Sequence, residues 1–132
     1  MSEITDAGVQ ELLAAPNYAV LSSLNPDGTI LSTSVWIDYV DGVLAVNSAV
    51  ARQWPTNLDR EGKVTVLVTE TNDPYHFTEI RGTVTGSTAE GLEHINALAQ
   101  KYIGKDYPWL SPGEIRRKFV ITPTKVRYIK RP

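Results

Sequence analysis

The stretch AVLSSLNPDGTILSTSVW, residues 19–36, reads as two β-strands folded back on one another. From Tyr18 to Leu24 the chain is apolar with two serines, Asn25-Pro26-Asp27-Gly28 is a strong turn, and Thr29 to Ile37 is rich in β-branched residues. Downstream, Asp41-Gly42 makes a second turn before a strand over Val43 to Val46, and Lys63 to Thr69 alternates around Val64, Val66 and Val68. Tyr75 to Thr85 is a fifth strand, bent at Gly82. Phe119 to Ile121 and Val126 to Ile129 flank Thr122-Pro123-Thr124 and predict a closing hairpin.

Helical spacing stands out in three places. Val9, Leu12 and Leu13 follow the possible caps Thr5 and Asp6 and stop before Pro16. From Gly91 to Ile103 the apolar residues Leu92, Ile95, Leu98 and Tyr102 form one stripe, with Gly104 placed to end the helix. Ser111-Pro112-Gly113-Glu114 has the form of a capping box and predicts a third, short helix. Six or seven short strands with regular turns and peripheral short helices make the fold mainly β: an antiparallel barrel, closed or nearly so, in one domain over residues 1–132. Strands and helices do not alternate and no Gly-rich turn joins them, which speaks against a dinucleotide-binding α/β fold.

Composition narrows the function. A formal net charge of -2 does not suit a chain whose work is neutralising nucleic-acid phosphates. The late basic residues Arg116, Arg117, Lys118, Lys125, Arg127, Lys130 and Arg131 read as a solvated face. With no cysteine and two distant histidines, His76 and His94, no metal site is expected. No apolar run approaches the roughly 20 residues that cross a bilayer. Met1-Ser2-Glu3 lacks the basic start of a signal peptide, so a cytoplasmic location is expected.

Reactive side chains are scarce. His94 reads as an exposed or packing residue and His76 as a cross-strand or surface one. Asp38, Asp41, Asp59 and Glu61 fall in turns and helix ends, where capping and solvation account for them. No catalytic acid or base is assigned, and an enzyme built this way would leave the hard chemistry to a cofactor. The informative residues are Ser32-Thr33-Ser34-Val35-Trp36, Asn47-Ser48 and Ala51-Arg52-Gln53-Trp54-Pro55-Thr56-Asn57-Leu58. If their strands are neighbours, Ser48 and Arg52 can bind a phosphate while an indole covers an aromatic ring; otherwise Trp36 and Trp54 fill a core or an interface.

These segments, with NDPYHFTEIRGTV and FVITPTKVRYI, resemble the split β-barrel flavin and deazaflavin oxidoreductases, relatives of pyridoxamine 5'-phosphate oxidase, from about Val9 to Ile129. In order and spacing they are most similar to the short branch that uses coenzyme F420, known mainly from actinobacteria. The resemblance implies a homodimer with two cofactor clefts, each lined by both subunits, and hydride transfer from the reduced deazaflavin to a small organic substrate. It implies cofactor contacts at Thr33, Ser34, Val35, Trp36, Asn47 and Ser48, a phosphate-side segment through Arg52, Gln53, Trp54 and Asn57, and Tyr75 and Phe77 reaching the ring system from the partner subunit.

Two positions depart from that pattern. Trp54 and Thr56 stand where relatives often carry Lys and Arg, and each lost charge-assisted bond weakens binding by about tenfold to a hundredfold. Pro55 interrupts the usual helix unless it stands in the first turn. Trp54 then either stacks on the cofactor or closes the cleft. Pyridoxamine phosphate oxidase activity itself is not expected, because Ile129-Lys130-Arg131-Pro132 does not match that enzyme's arginine-bearing C-terminal signature. FMN in place of F420, and a barrel that binds a cofactor without turnover, are the alternatives.

Overall fold

The computed structural model describes residues 4–50, 52–87 and 89–131; the readings that fell on Met1-Ser2-Glu3, Ala51 and Pro132 lie outside the described residues. Along the chain run α1 (Ala7–Ala14), β1 (Ala19–Leu24), β2 (Ile30–Val35), β3 (Asp38–Val40), β4 (Val43–Ala49), α2 (Gln53–Glu61), β5 (Lys63–Glu70), β6 (Asp73–Ser87), α3 (Gly91–Ile103) and β7 (Arg116–Lys130). The strands form one antiparallel sheet in the order β2-β1-β5-β6-β7-β4-β3. Its edges, β2 and β3, are joined only by Trp36 and Ile37, a link that spans roughly 11 Å at full stretch. The sheet must therefore curl until its edges meet, yet no ladder pairs them. That unpaired seam is the split in the barrel.

Period-2 alternation sets what faces inward. Cross-strand register stacks Thr33, Leu21, Val66, Ile80 and Val126 in one row, and Val35, Ala19, Val68, Thr78 and Tyr128 in the next. Leu21, Val66, Val68 and Ile80 are fully buried in a core they share with Leu44, Val46, Phe119 and Ile121. The row between, Ser34, Val20, Leu67, Glu79 and Arg127, faces outward and leaves Val20 and Leu67 partly exposed. α1 adds Val9, Leu12 and Leu13 to the core and is capped by Asp6, which accepts from the Gly8 amide at 2.7 Å.

Four local expectations are corrected. The span Thr29 to Ile37 is not one strand: β2 ends at Val35, and the chain turns through Trp36 and Ile37 into the other edge. Thr122-Pro123-Thr124 is not a turn but lies inside the continuous strand β7. Arg81 pairs with Lys125 while Gly82 pairs with Pro123, so Thr124 is an extra residue at a bulge, where a proline without an N–H is tolerated. A Cβ at Gly82 would lie 2.6 Å from the Thr122 carbonyl oxygen, which explains glycine there. Ser111-Pro112-Gly113-Glu114 forms a turn rather than a helix: Glu114 does reach the Ser111 amide at 3.4 Å, but Gly113 at φ 77° turns the chain away. On α3 the inward stripe is Gly91, His94, Ile95, Leu98 and Ala99, rotated so that Leu92 is exposed.

Pro55 stands in the first turn of α2, where its missing N–H has no helical partner to lose. The helix stops at Gly62, whose φ of 68° suits glycine, as its amide donates back to Leu58 at 2.8 Å.

Candidate functional site

Beside the split, the end of β2, strand β4, the start of α2, α3, the 105–111 loop and the start of β7 enclose a cleft of about 260 Å³. It gathers Ser34, Val35, Trp36, Asn47, Arg52 and Trp54 from the segments singled out in the sequence. Tyr18, Ile95, Leu98, Tyr107, Trp109 and Arg116 complete the lining. Tyr18 and Trp109 are each more than half exposed, so one side opens to solvent.

The aromatic wall is continuous. Trp36 stacks on Tyr102 at 5.3 Å and 7°, Tyr107 meets Trp36 edge-on at 6.1 Å, and Trp109 meets Tyr107 edge-on at 5.5 Å. Behind it, the Tyr102 hydroxyl donates to the Asn17 carbonyl at 2.6 Å and accepts from the Ile37 amide at 3.2 Å. Burial pushes this phenol up to about 12. Lys101 donates to the carbonyls of Leu13 and Ile37 at 2.6 and 2.5 Å, pinning the seam, and burial lowers its pKa. Trp54 is almost wholly buried against Phe119 at 5.8 Å. It thus forms wall rather than plug.

The polar wall is cationic. Arg52 is exposed and caps α2 without a side-chain bond, leaving the amides of Gln53 and Trp54 free of a side-chain cap at the cleft edge. Arg116 is buried, contrary to its reading as part of a solvated face. Its Nε donates to Asn47 Oδ1 at 2.9 Å and its Nη1 to Glu114 at 2.9 Å. The bond from Arg116 holds the Glu114 carboxyl below its ordinary range. Arg117 forms a two-armed pair with Asp59 at 2.6 and 2.9 Å, which lowers that carboxyl in turn. Asp59 and Asp38 are therefore partnered rather than merely solvated, and His94 is buried between Asp38 and Asn47.

The other singled-out residues lie elsewhere. Thr33 has the inward parity of Leu21, and the Ser48 hydroxyl, fully buried, donates to the Ala49 carbonyl at 3.0 Å. Gln53 donates to Asn57, and Asn57 is fully buried against Ser23 and Asn25 of the first hairpin. Tyr75 and Phe77, on β6, sit under Arg131 and Arg127 and do not line this cleft. His76 meets the Tyr128 hydroxyl at 2.8 Å. Tyr18, Ile95, Leu98 and Arg116 line the cleft without having been singled out in the sequence; nothing in the neighbourhood of Arg116 distinguishes it from Arg117 and Lys118 until the fold buries it. Among the described residues no group of His, Asp or Glu is arranged to hold a metal ion, and no helix is long and apolar enough to cross a membrane.

Neither a family model nor a curated protein matches the chain. Solved structures do. An F420 reductase superimposes with a TM-score of 0.84 at 25% identity, over 93% of this chain and 98% of the other. A conserved protein from Mycobacterium tuberculosis follows at 0.76 and 16%, over 98% and 87%. A pyridoxamine 5'-phosphate oxidase-like protein from Listeria innocua gives 0.69 and 18%, over 89% and 92%. The chain has the split β-barrel fold of flavin and deazaflavin oxidoreductases.

Proposed function

We propose that the protein is a cytoplasmic oxidoreductase, folded as a single domain, that binds coenzyme F420 in the cleft beside the barrel split and reduces a small organic substrate. The observation that carries this is the juxtaposition of an aromatic wall, Trp36, Tyr107 and Trp109, with the Ser34 hydroxyl and two cations, Arg52 and Arg116. A planar, anionic molecule matches both walls. The likeness to an F420 reductase over 93% of the chain points the same way. When bound, the reduced deazaflavin would supply a hydride to an electrophilic carbon.

The chain's own residues bind and orient. Arg52 and the uncapped start of α2 suit a phosphate, since helix amides and a guanidinium both favour an anion. The Ser34 hydroxyl offers a donor to ring heteroatoms, and Trp36 is held in place by its stack on Tyr102. At about 260 Å³ the cleft is smaller than the ~300–1,000 Å³ of sites that enclose a ligand alone. A second copy therefore completes it in this reading, with Tyr75 and Phe77 of that copy closing the open side.

The test is titration of F420 with the purified protein, followed by fluorescence and by sedimentation for the dimer. Absence of binding at about tens of micromolar, or a monomer at every concentration, overturns the reading. A yellow protein that retains FMN establishes the FMN alternative. A non-catalytic binder is favoured by one observation: among the described residues no carboxylate or imidazole lines the cleft. Stoichiometric F420 binding with no hydride transfer to any acceptor would establish it.

A further inference from the structure

Asn47 spends its side chain in three directions. Nδ2 donates to the Gly91 carbonyl at 2.9 Å and lies 3.1 Å from His94 Nδ1, while Oδ1 accepts from Arg116 Nε. An amide nitrogen has only protons to give, so His94 Nδ1 is the acceptor and the imidazole proton sits on Nε2. That proton faces Asp38, whose carboxylate oxygens both lie 3.3 Å away. Carboxylate, imidazole, amide and guanidinium are joined in one chain, each donor meeting an acceptor, with His94, Asn47 and Arg116 all buried.

The chain ends in the cleft. Arg116 carries its guanidinium over the Tyr107 ring at 5.1 Å, with Nε on Asn47 and Nη1 on Glu114. Its Nη2 has no protein partner among the described residues, although every fully buried side-chain polar atom among them has one, so Nη2 keeps some exposure on a residue that lines the cleft. Arg117, next along β7, uses both arms of its fork on Asp59. A purely structural arginine in the more buried position would gain most from doing the same with Glu114; Arg116 instead keeps one arm free.

We propose that Arg116 anchors a carboxylate or phosphate group of the molecule bound in the cleft, and that Asp38, His94 and Asn47 are positioning residues that hold its guanidinium in place. Arg52 lines the same cleft and acts electrostatically on Glu114, so both arginines surround one acidic side chain of the protein. Glu114, bonded to Nη1, competes with the anion for the same guanidinium. The inference rests on the reading of this cleft as a ligand site, not on which cofactor fills it.

All three tryptophans of the chain line the cleft, so intrinsic fluorescence reports it without cofactor. Inorganic phosphate, and separately acetate, are titrated at constant ionic strength. The wild type responds saturably. Glu114→Gln, a change at a turn, binds several-fold tighter, because the competing charge is gone. Arg116→Lys keeps the charge but not the Nε bond, and binds on the order of tenfold weaker. His94→Leu weakens binding in the same direction, and His94→Gln, which can still accept from Asn47 and donate to Asp38, restores it. A flat wild-type titration, or equal affinities in Glu114→Gln, Arg116→Lys and wild type, overturns the proposal. Repeating the phosphate titration with F420 saturating identifies the source: loss of the response gives the anion to the cofactor, its persistence gives it to the substrate. Phosphate binding without F420 binding sinks the cofactor and leaves the anchor; F420 binding with no phosphate response does the reverse.

Discussion

Two buried asparagines, Asn57 and Asn47, sit at the centres of two polar clusters that end differently. Asn57 donates to Ser23 and Asn25 and accepts from Gln53 at 2.9 Å and Arg60 at 3.3 Å; Arg60 then reaches the Leu24 carbonyl. Every bond returns to the first hairpin or to α2 itself, so the cluster locks a helix to a turn. Asn47 joins Gly91, His94 and Arg116, and its chain runs out to a cleft-lining guanidinium with one arm unpaired among the described residues. Polar burial alone therefore does not mark a site. What marks it is where the last donor points.

The largest effect comes from crowding the open cluster. A Cβ at Gly91 would lie 1.9 Å from the Arg116 carbonyl oxygen, and backbone cannot swing aside. Gly91→Ala should cost about 3 kcal/mol in urea unfolding. A loss below about 1 kcal/mol would show that the two clusters are equally tolerant. Asn57→Ala leaves buried partners unmatched and should lower stability by about 2 kcal/mol, read in the same way. A neutral result would remove the structural role of the closed cluster.

Arg52→Ala comes next. The side chain is exposed and makes no cap bond, so stability should hold while F420 affinity falls several-fold by fluorescence titration. An unchanged dissociation constant takes Arg52 out of the site.

Smallest is a titration behind the aromatic wall. The folded Tyr102 phenol, at about 12, stands above its unfolded 10.0, so its contribution is complete below pH 10 and fades as pH climbs through 12. Ultraviolet titration should show one late tyrosine that Tyr102→Phe abolishes; a full count of phenolates near pH 10 would contradict the buried hydroxyl.

Much of the fold was legible because it is local. Asn25-Pro26-Asp27-Gly28, the alternation around Val64, Val66 and Val68, and Gly104 at the end of α3 act through their own dihedrals and their own period. Ser34, Trp36, Asn47, Arg52 and Trp54 meet in one cleft although β2 and β4 are not neighbouring strands; the curl of the sheet, not strand pairing, brings them together. What could not be read depends on partners distant in sequence. Pro123 looks like a turn until Gly82, on the neighbouring strand, supplies the bulge that admits it. Glu114 looks like a helix cap until Arg116 enters the strand beside it and takes its carboxylate.

The amino-acid sequence by itself determined the first hairpin, the strands around Val43, Val64 and Tyr75, and the set of rings and hydroxyls available for a flat ligand, because propensity and periodicity are properties of neighbours along a chain. Tertiary structure alone decided which arginine is buried, which histidine is held between a carboxylate and an amide, and which face of α3 turns inward. Those are matters of register and closure: a one-residue slip of β7 would send Arg116 to the opposite side of the sheet, and the way α3 packs against that sheet sets which of its faces is inward.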